Sequence, residues 1–158
     1  MVKMRLGTIA LRFACVAAVL LSPHALHAQQ QKQSRPGVYE GYSQQRFDSW
    51  IKTSQYVAMR DDVRLAVDLY RPARDGQAVE EKFPVVWAHT PYRRSYRDSK
   101  GEIVNSAEQL HLLPLVKHGY VVAIVDTRGR GASFAARRGF QDRTEAQDAY
   151  EMTEWLAT

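Results

Sequence analysis

The sequence predicts an α/β fold, and three stretches carry that prediction. Val121 to Val125 is a run of five apolar residues, too short to cross a membrane and rich in β-branched side chains. It reads as a strand buried on both faces, the kind found in parallel sheets covered by helices. Val63 to Tyr70 alternates with period two, which marks a half-buried antiparallel strand. Asp142 and Glu145 have capping-box spacing at the head of an amphipathic helix.

Before the first strand lies a segment that should not be counted towards the core. Lys3, Arg5 and Arg12 precede and enter an apolar run from Phe13 to Leu21, followed by Ser22, Pro23, His24 and Ala28. That order is expected of a secretory signal peptide over residues 1–28, cut after Ala28 or after Ala25, and so of a periplasmic or secreted protein. The single cysteine, Cys15, falls inside this leader. The mature chain is therefore expected to have no disulfide and no thiol nucleophile. Removing residues 1–28 takes away three of 22 basic residues and none of 17 acidic ones, so the formal charge falls from +5 to +2. Much of the basicity belongs to the leader, which argues against a nucleic-acid partner.

Residues 29–52 read as an N-terminal arm, polar and Gln-rich at first, then carrying Tyr39, Tyr42, Phe47 and Trp50 as aromatic anchors. The regular pattern starts at Thr53. Tyr56 to Met59 is a short strand, Arg60-Asp61-Asp62 a turn, and the alternating strand places Val63, Leu65, Val67 and Leu69 on one face, with Arg64, Ala66 and Asp68 on the other. Pro72 should end that strand, and Arg74 to Lys82 should be a charged loop. Pro84 to His89 does not alternate and is expected nearer the sheet centre. Thr90 to Arg94 is then the loop at its carboxyl end, on the same edge as Asp126 if the strands are parallel.

Ala107 to His118 reads as helical with Ser106 as cap, and Pro114 either kinks it or opens a second short helix. Gly119 is placed to stop it. In the last helix Ala146, Ala149, Thr153 and Leu156, widened by Tyr150 and Met152, should face the sheet. Glu151 and Glu154 should mostly face water.

The residues alone give little chemistry. His89, His111 and His118 form no zinc-binding pair, so neither metal nor cofactor is expected. His111 and His118 read as helix-surface residues, while His89 either orients the loop after it or is a structural histidine. Gly129 and Gly131 lack the context of a phosphate loop. They fit a tight turn after Asp126, whose carboxylate either accepts from turn N–H groups or pairs with Arg128.

An ordered series of motifs adds to this. Met59 to Ala66, Tyr70-Arg71-Pro72, Pro84-Val85-Val86 with Thr90-Pro91-Tyr92, Gly119 to Val122, and Asp126 to Ser133 occur in that order. From about Trp50 onward the chain resembles the amino-terminal part of the α/β-hydrolases of the Xaa-Pro dipeptidyl-peptidase class, a group with cocaine esterase, α-amino-acid ester hydrolases and glutaryl acylases. The resemblance implies an α/β-hydrolase fold, with an antiparallel hairpin leading into a parallel sheet with crossover helices. Residues 53–158 would be an incomplete domain of that kind. It also implies a serine that forms an acyl-enzyme from a small ester or amide/peptide substrate. Tyr92 matches the tyrosine whose hydroxyl helps to hold the oxyanion, and a neutral O–H donor suits that task.

The family's Gly-x-Ser-Tyr elbow is expected shortly after Thr158, and Ser95, Ser99, Ser106 and Ser133 lack its strand, sharp turn and helix. This reading makes the chain a fragment, inactive alone and prone to aggregate through an apolar strand left at a sheet edge. Homo-oligomerisation stays open. The competing reading is a non-catalytic module whose Tyr92–Arg97 and Arg128–Arg138 loops engage an anionic partner.

Overall fold

A computed structural model describes residues 36–37, 43–140 and 142–158. The proposed leader and the arm residues Tyr39 and Tyr42 lie outside the described residues. The chain divides into two units, Met1–Tyr42 and Ser43–Thr158. Within the first, the described residues form a turn at 36–37. Everything below concerns the second.

Its main sheet is built from β1 (Ser49–Ala58), β2 (Arg64–Arg74), β3 (Gln77–Ala78), β4 (Val85–Thr90) and β7 (Val121–Asp126). The order along the sheet is β1-β2-β7-β4, with β3 paired to β2. β1 pairs with β2 and β2 with β7 antiparallel, whereas β4 and β7 are parallel. The mixed sheet fits the expected hairpin leading into parallel pairing. Between β4 and β7 the chain forms a small hairpin, β5 (Ser95–Arg97) with β6 (Ile103–Asn105), and two short helices, α1 (Ser106–Gln109) and α2 (Leu113–Lys117). α3 (Arg143–Leu156) closes the described chain. No described helix is long and apolar enough to cross a membrane.

Side-chain alternation splits the core into two layers. Leu65, Val67, Ala123 and Val125 pack with Val57, Met59 and Met152 of α3. Tyr70, Val122 and Ile124 pack on the other face with Ala107, Leu113 and Val116 of the crossover. β7 is thus buried on both faces, as its apolar run requires. β2 is not half-buried, because its second face is covered as well and Ala66 and Asp68 are fully buried. The second face of β2 looked polar in sequence because Asp68 is neutralised inside the protein.

Several local expectations change. β1 begins at Ser49, so Trp50 belongs to the sheet and pairs with Pro72. Pro72 lies inside β2. Its carbonyl accepts from Val79 N–H, so the side on which it lacks a donor faces away from β1, past the end of the β7 ladder at Tyr70. The charged loop contains a two-residue hairpin turn, Asp75-Gly76, with φ of 52° and 76°. β4 is at the end of the strand order, not nearer the centre, since β7 inserts between it and β2. Its half-buried side chains match that place.

The crossover takes the two-helix form, with Pro114 in the first turn of α2. Gly119 follows with φ 91°. Ser106 does not cap: Asn105 is the N-cap residue, and Ser106 Oγ donates to the Arg93 carbonyl at 2.5 Å. Asp142 does cap α3, accepting from Glu145 N–H at 2.9 Å. The buried face of α3 is Glu145, Asp148 and Met152, whereas Ala146 and Thr153 are exposed. Two carboxylates on a buried face are invisible to an apolar-stripe reading. Each has an arginine partner.

Candidate functional site

Parallel pairing brings Thr90 opposite Asp126, so the loops leaving β4 and β7 emerge side by side. Thr127 N–H donates to the Thr90 carbonyl at 3.0 Å and extends the pairing past the strands. Tyr92 N–H then donates to Thr90 Oγ1 at 3.0 Å, starting the turn. Arg93 follows in the left-handed region, φ 76°, a conformation that a long side chain adopts only when its surroundings hold it. The holding groups are Ser106, whose Oγ and N–H reach the carbonyls of Arg93 and Arg94, and Asp126. Tyr92 stands at the crest of this turn, 79% exposed, its hydroxyl without a hydrogen bond among the described residues.

Asp126 is fully buried and organises both loops. Its carboxylate accepts from Arg94 N–H at 2.6 Å and Ala132 N–H at 2.9 Å, and the Arg94 guanidinium lies 3.3 Å away. Of the two roles open to it in the sequence, it binds loop N–H groups, and its arginine is Arg94. Gly131, at φ 54°, lies so close that a Cβ there would overlap the carboxylate, while one on Gly129 would meet the backbone of Ala136 and Arg137. Both glycines are required by close approach, as a tight turn demands. Arg94 also pairs with buried Asp68 at 3.0 Å, which in turn holds Lys52 at 2.9 Å and accepts from Ser54 Oγ at 2.6 Å. Lys52 donates to Asn105 Oδ1 at 2.9 Å. The turn carrying Tyr92 is thereby tied to β1, β2, β6 and β7.

Arg128 serves a different purpose. It forms bidentate bonds to Asp61 at 2.7 and 3.0 Å and to Asp148 at 2.8 and 2.7 Å. Arg60 adds a second cation on Asp148, at 2.9 Å, and reaches Glu151 at 3.1 Å. This cluster joins the β1–β2 turn, the loop after β7 and α3. The hydrogen bonds that Arg128 donates hold the Asp61 carboxyl at a pKa of about 2, and donating to Asp148 and Asp61 raises the pKa of Arg128 itself. Glu145 is paired with Arg137 at 2.6 Å.

Beside this cluster is a cleft of about 300 Å³ whose wall includes His89, Thr127, Arg137 and Glu145. His89 Nε2 and Thr127 Oγ1 are buried without a hydrogen-bond partner among the described residues. Burial lowers the pKa of His89, and its ring lies 5.9 Å from that of Trp87. The loop after β4 is thus held by Asp126, Thr90 and Ser106, with no described hydrogen bond from His89 Nε2. His111 is exposed with φ 53°.

The serines do not assemble a nucleophile among the described residues. Ser106 is bonded to Arg93, and Ser133 Oγ donates to the Asp126 carbonyl and accepts from Ala66 N–H. Ser43 Oγ lies 3.1 Å from His118 Nδ1, but this exposed pair adjoins the amino end of β7. Tyr92 follows the carboxyl end of the parallel strand β4, about 20 Å away along a six-residue strand.

Sequence reasoning put Asp126 and both glycines in the tight turn and Tyr92 in the adjoining loop, but missed that Asp68, Arg94 and Asp148 are buried ion-pair partners. The available signal was an acid inside each of two otherwise buried elements, which requires a cation elsewhere.

The profile of the X-Pro dipeptidyl-peptidase (S15 family) matches residues 61–158. A chain of Mycobacterium bovis assigned as a serine esterase is 33% identical over 120 residues, covering 70% of this chain and 19% of that one. Cocaine esterase of Rhodococcus sp. is 36% identical over 107 residues, covering 67% of this chain and 16% of the relative. The chain therefore spans less than a fifth of the length of these curated relatives. Among solved structures, an α-amino acid ester hydrolase aligns with TM-score 0.46 and 20% identity over 80% of this chain and 22% of its own. An aminopeptidase from a marine-sediment Thaumarchaeota archaeon aligns with TM-score 0.47 and 21% identity over 78% and 21%.

Proposed function

The chain belongs to the X-Pro dipeptidyl-peptidase (S15) family, and from that premise we propose that residues 43–158 supply the oxyanion-binding side of an exported serine hydrolase. A serine outside the described residues attacks an ester or amide carbonyl, and water releases the acyl group. Tyr92 donates its hydroxyl to the oxyanion that develops in the tetrahedral intermediate, together with a backbone N–H next to that serine. Such donors contribute when they are already aimed before reaction, because no reorganisation is then needed.

The observation that carries this reading is the double attachment of the Tyr92 turn to Asp126. It leaves the phenol exposed at the carboxyl ends of two parallel strands, the edge on which open α/β sheets bind ligands. Because the one serine–histidine hydrogen bond among the described residues, Ser43 with His118, lies at the other end of the sheet from Tyr92, the 158-residue chain is expected to be inactive by itself. Export is part of the proposal and rests on the leader pattern of residues 1–28.

A fluorophosphonate probe tests the enzyme class. The purified 158-residue chain should remain unlabelled, whereas a longer product containing this sequence should be labelled at one serine. Covalent labelling of the 158-residue chain would contradict the proposal.

A further inference from the structure

Tyr92 is not the only side chain exposed at this edge. It shares a cleft of about 790 Å³ with Arg93, Arg94, Tyr96, Arg97 and Arg130, and no aspartate or glutamate is among the residues lining it. The volume is of the size that takes a small organic ligand. Arg94 is already neutralised by Asp68 and Asp126. The other three arginines are not. Arg93 and Arg130 are exposed and have no carboxylate within ion-pair distance among the described residues, and the Arg97 guanidinium donates to the Gly101 carbonyl at 2.8 Å.

Neither nearby acid forms an ion pair with them among the described residues. Asp126 is closed off by two backbone N–H groups and Arg94, and Asp98 Oδ1 accepts from Lys100 N–H and Glu102 N–H in its own turn. Arginines that are partly or largely buried elsewhere are paired: Arg60 and Arg128 with Asp148, Arg137 with Glu145. A concave surface that gathers several guanidiniums and no counter-charge attracts anions, and the guanidinium fork matches a carboxylate in geometry.

We propose that this cleft is an anion subsite, which selects esters or amides whose acyl or leaving portion carries a carboxylate, with Arg93, Arg97 and Arg130 as the recognising groups. The proposal rests on the serine-hydrolase reading for the reaction but not for the binding. The left-handed turn at Arg93, fixed by Ser106 and Asp126, sets that side chain next to Tyr92 in sequence and in the cleft wall. A carboxylate on the substrate would then anchor it beside the oxyanion donor, whereas a cationic substrate would be repelled.

The test is an NMR titration of the 158-residue chain with monomethyl succinate, an anion, and with dimethyl succinate, its neutral counterpart. The monoester should shift the arginine Hε signals of Arg93, Arg97 and Arg130 and saturate, with the diester at least about tenfold weaker. Arg93→Gln and Arg130→Gln should each weaken monoester binding by about two- to fivefold, the range of an exposed ion pair. Arg→Lys at either site should retain part of it, and well-dispersed spectra verify that each variant is folded. Equal binding of the two esters, or binding indifferent to both Gln variants, would overturn the subsite. Hydrolysis by the longer product separates the two ideas. Anion binding without a labelled serine would sink the hydrolase reading and leave the subsite standing. Equal turnover of mono-p-nitrophenyl succinate and p-nitrophenyl butyrate, unchanged in R93Q and R130Q, would do the reverse.

Discussion

Arg94 and Asp126 are joined twice, by the backbone N–H of Arg94 to Oδ1 at 2.6 Å and by its guanidinium to Oδ2 at 3.3 Å. One residue thus binds the loop after β4 to the last position of β7 through both its main chain and its side chain. Asp126→Ala would leave the Arg94 and Ala132 N–H groups without their acceptor and the largely buried Arg94 guanidinium with Asp68 alone. Breaking such a pair from one side costs about 3–5 kcal/mol. Urea unfolding should show a lower midpoint with an unchanged slope, and a loss below about 1 kcal/mol would mean that the network is not needed to hold the loop.

Gly131→Ala should be far worse than Gly101→Ala. Both glycines have positive φ, 54° and 84°, so each substitution bears the left-handed penalty of about 1–2 kcal/mol. Around Gly101 nothing lies within 4 Å, whereas a Cβ on Gly131 overlaps the Asp126 carboxylate. Thermal unfolding of the two variants should therefore separate clearly, with Gly131→Ala lower. Equal shifts would imply that the carboxylate can move aside without loss.

Acid should destabilise the domain in two stages. The His89 pKa is lowered from 6.5 by burial, so below pH 6.5 the unfolded chain binds a proton that the folded chain refuses. Stability then falls as pH falls towards the folded value. The Asp61 carboxyl, held at about 2 against an ordinary 3.8 by hydrogen bonds from Arg128, contributes stability that is present above 3.8 and lost as pH falls through about 2. Urea midpoints measured against pH should lose the first stage in His89→Gln and the second in Asp61→Asn. Rising stability between pH 7 and 5.5 would contradict the assignment of His89.

Much of this architecture was legible because it follows from period and punctuation. Val121 to Val125 announced a strand covered on both sides, Asp142 announced the start of α3, and Pro114 marked the second crossover helix. What escaped was placement set by buried charge. Asp68, Glu145 and Asp148 break apolar patterns, so in sequence β2 reads as half-exposed and α3 as turning a different face to the sheet. Their partners Arg94, Arg137 and Arg128 come from other elements, and no local pattern joins them. The site divided in the same way. Tyr92 and the glycines lay in recognisable motifs, while the clustering of Arg93, Arg97 and Arg130 arises only when two loops are brought together.

The central claim is that Tyr92 is an oxyanion donor and not a structural side chain, and Tyr92→Phe in the longer, probe-labelled product tests it most directly. With 79% exposure and no hydrogen bond from its hydroxyl among the described residues, the substitution should leave the unfolding midpoint unchanged. Turnover should fall by about 10²–10³ with KM little altered, the signature of a contact made in the transition state. A Tyr92→Phe enzyme whose kcat stays within about twofold of the parent would contradict the account, since a true oxyanion donor is worth far more than that.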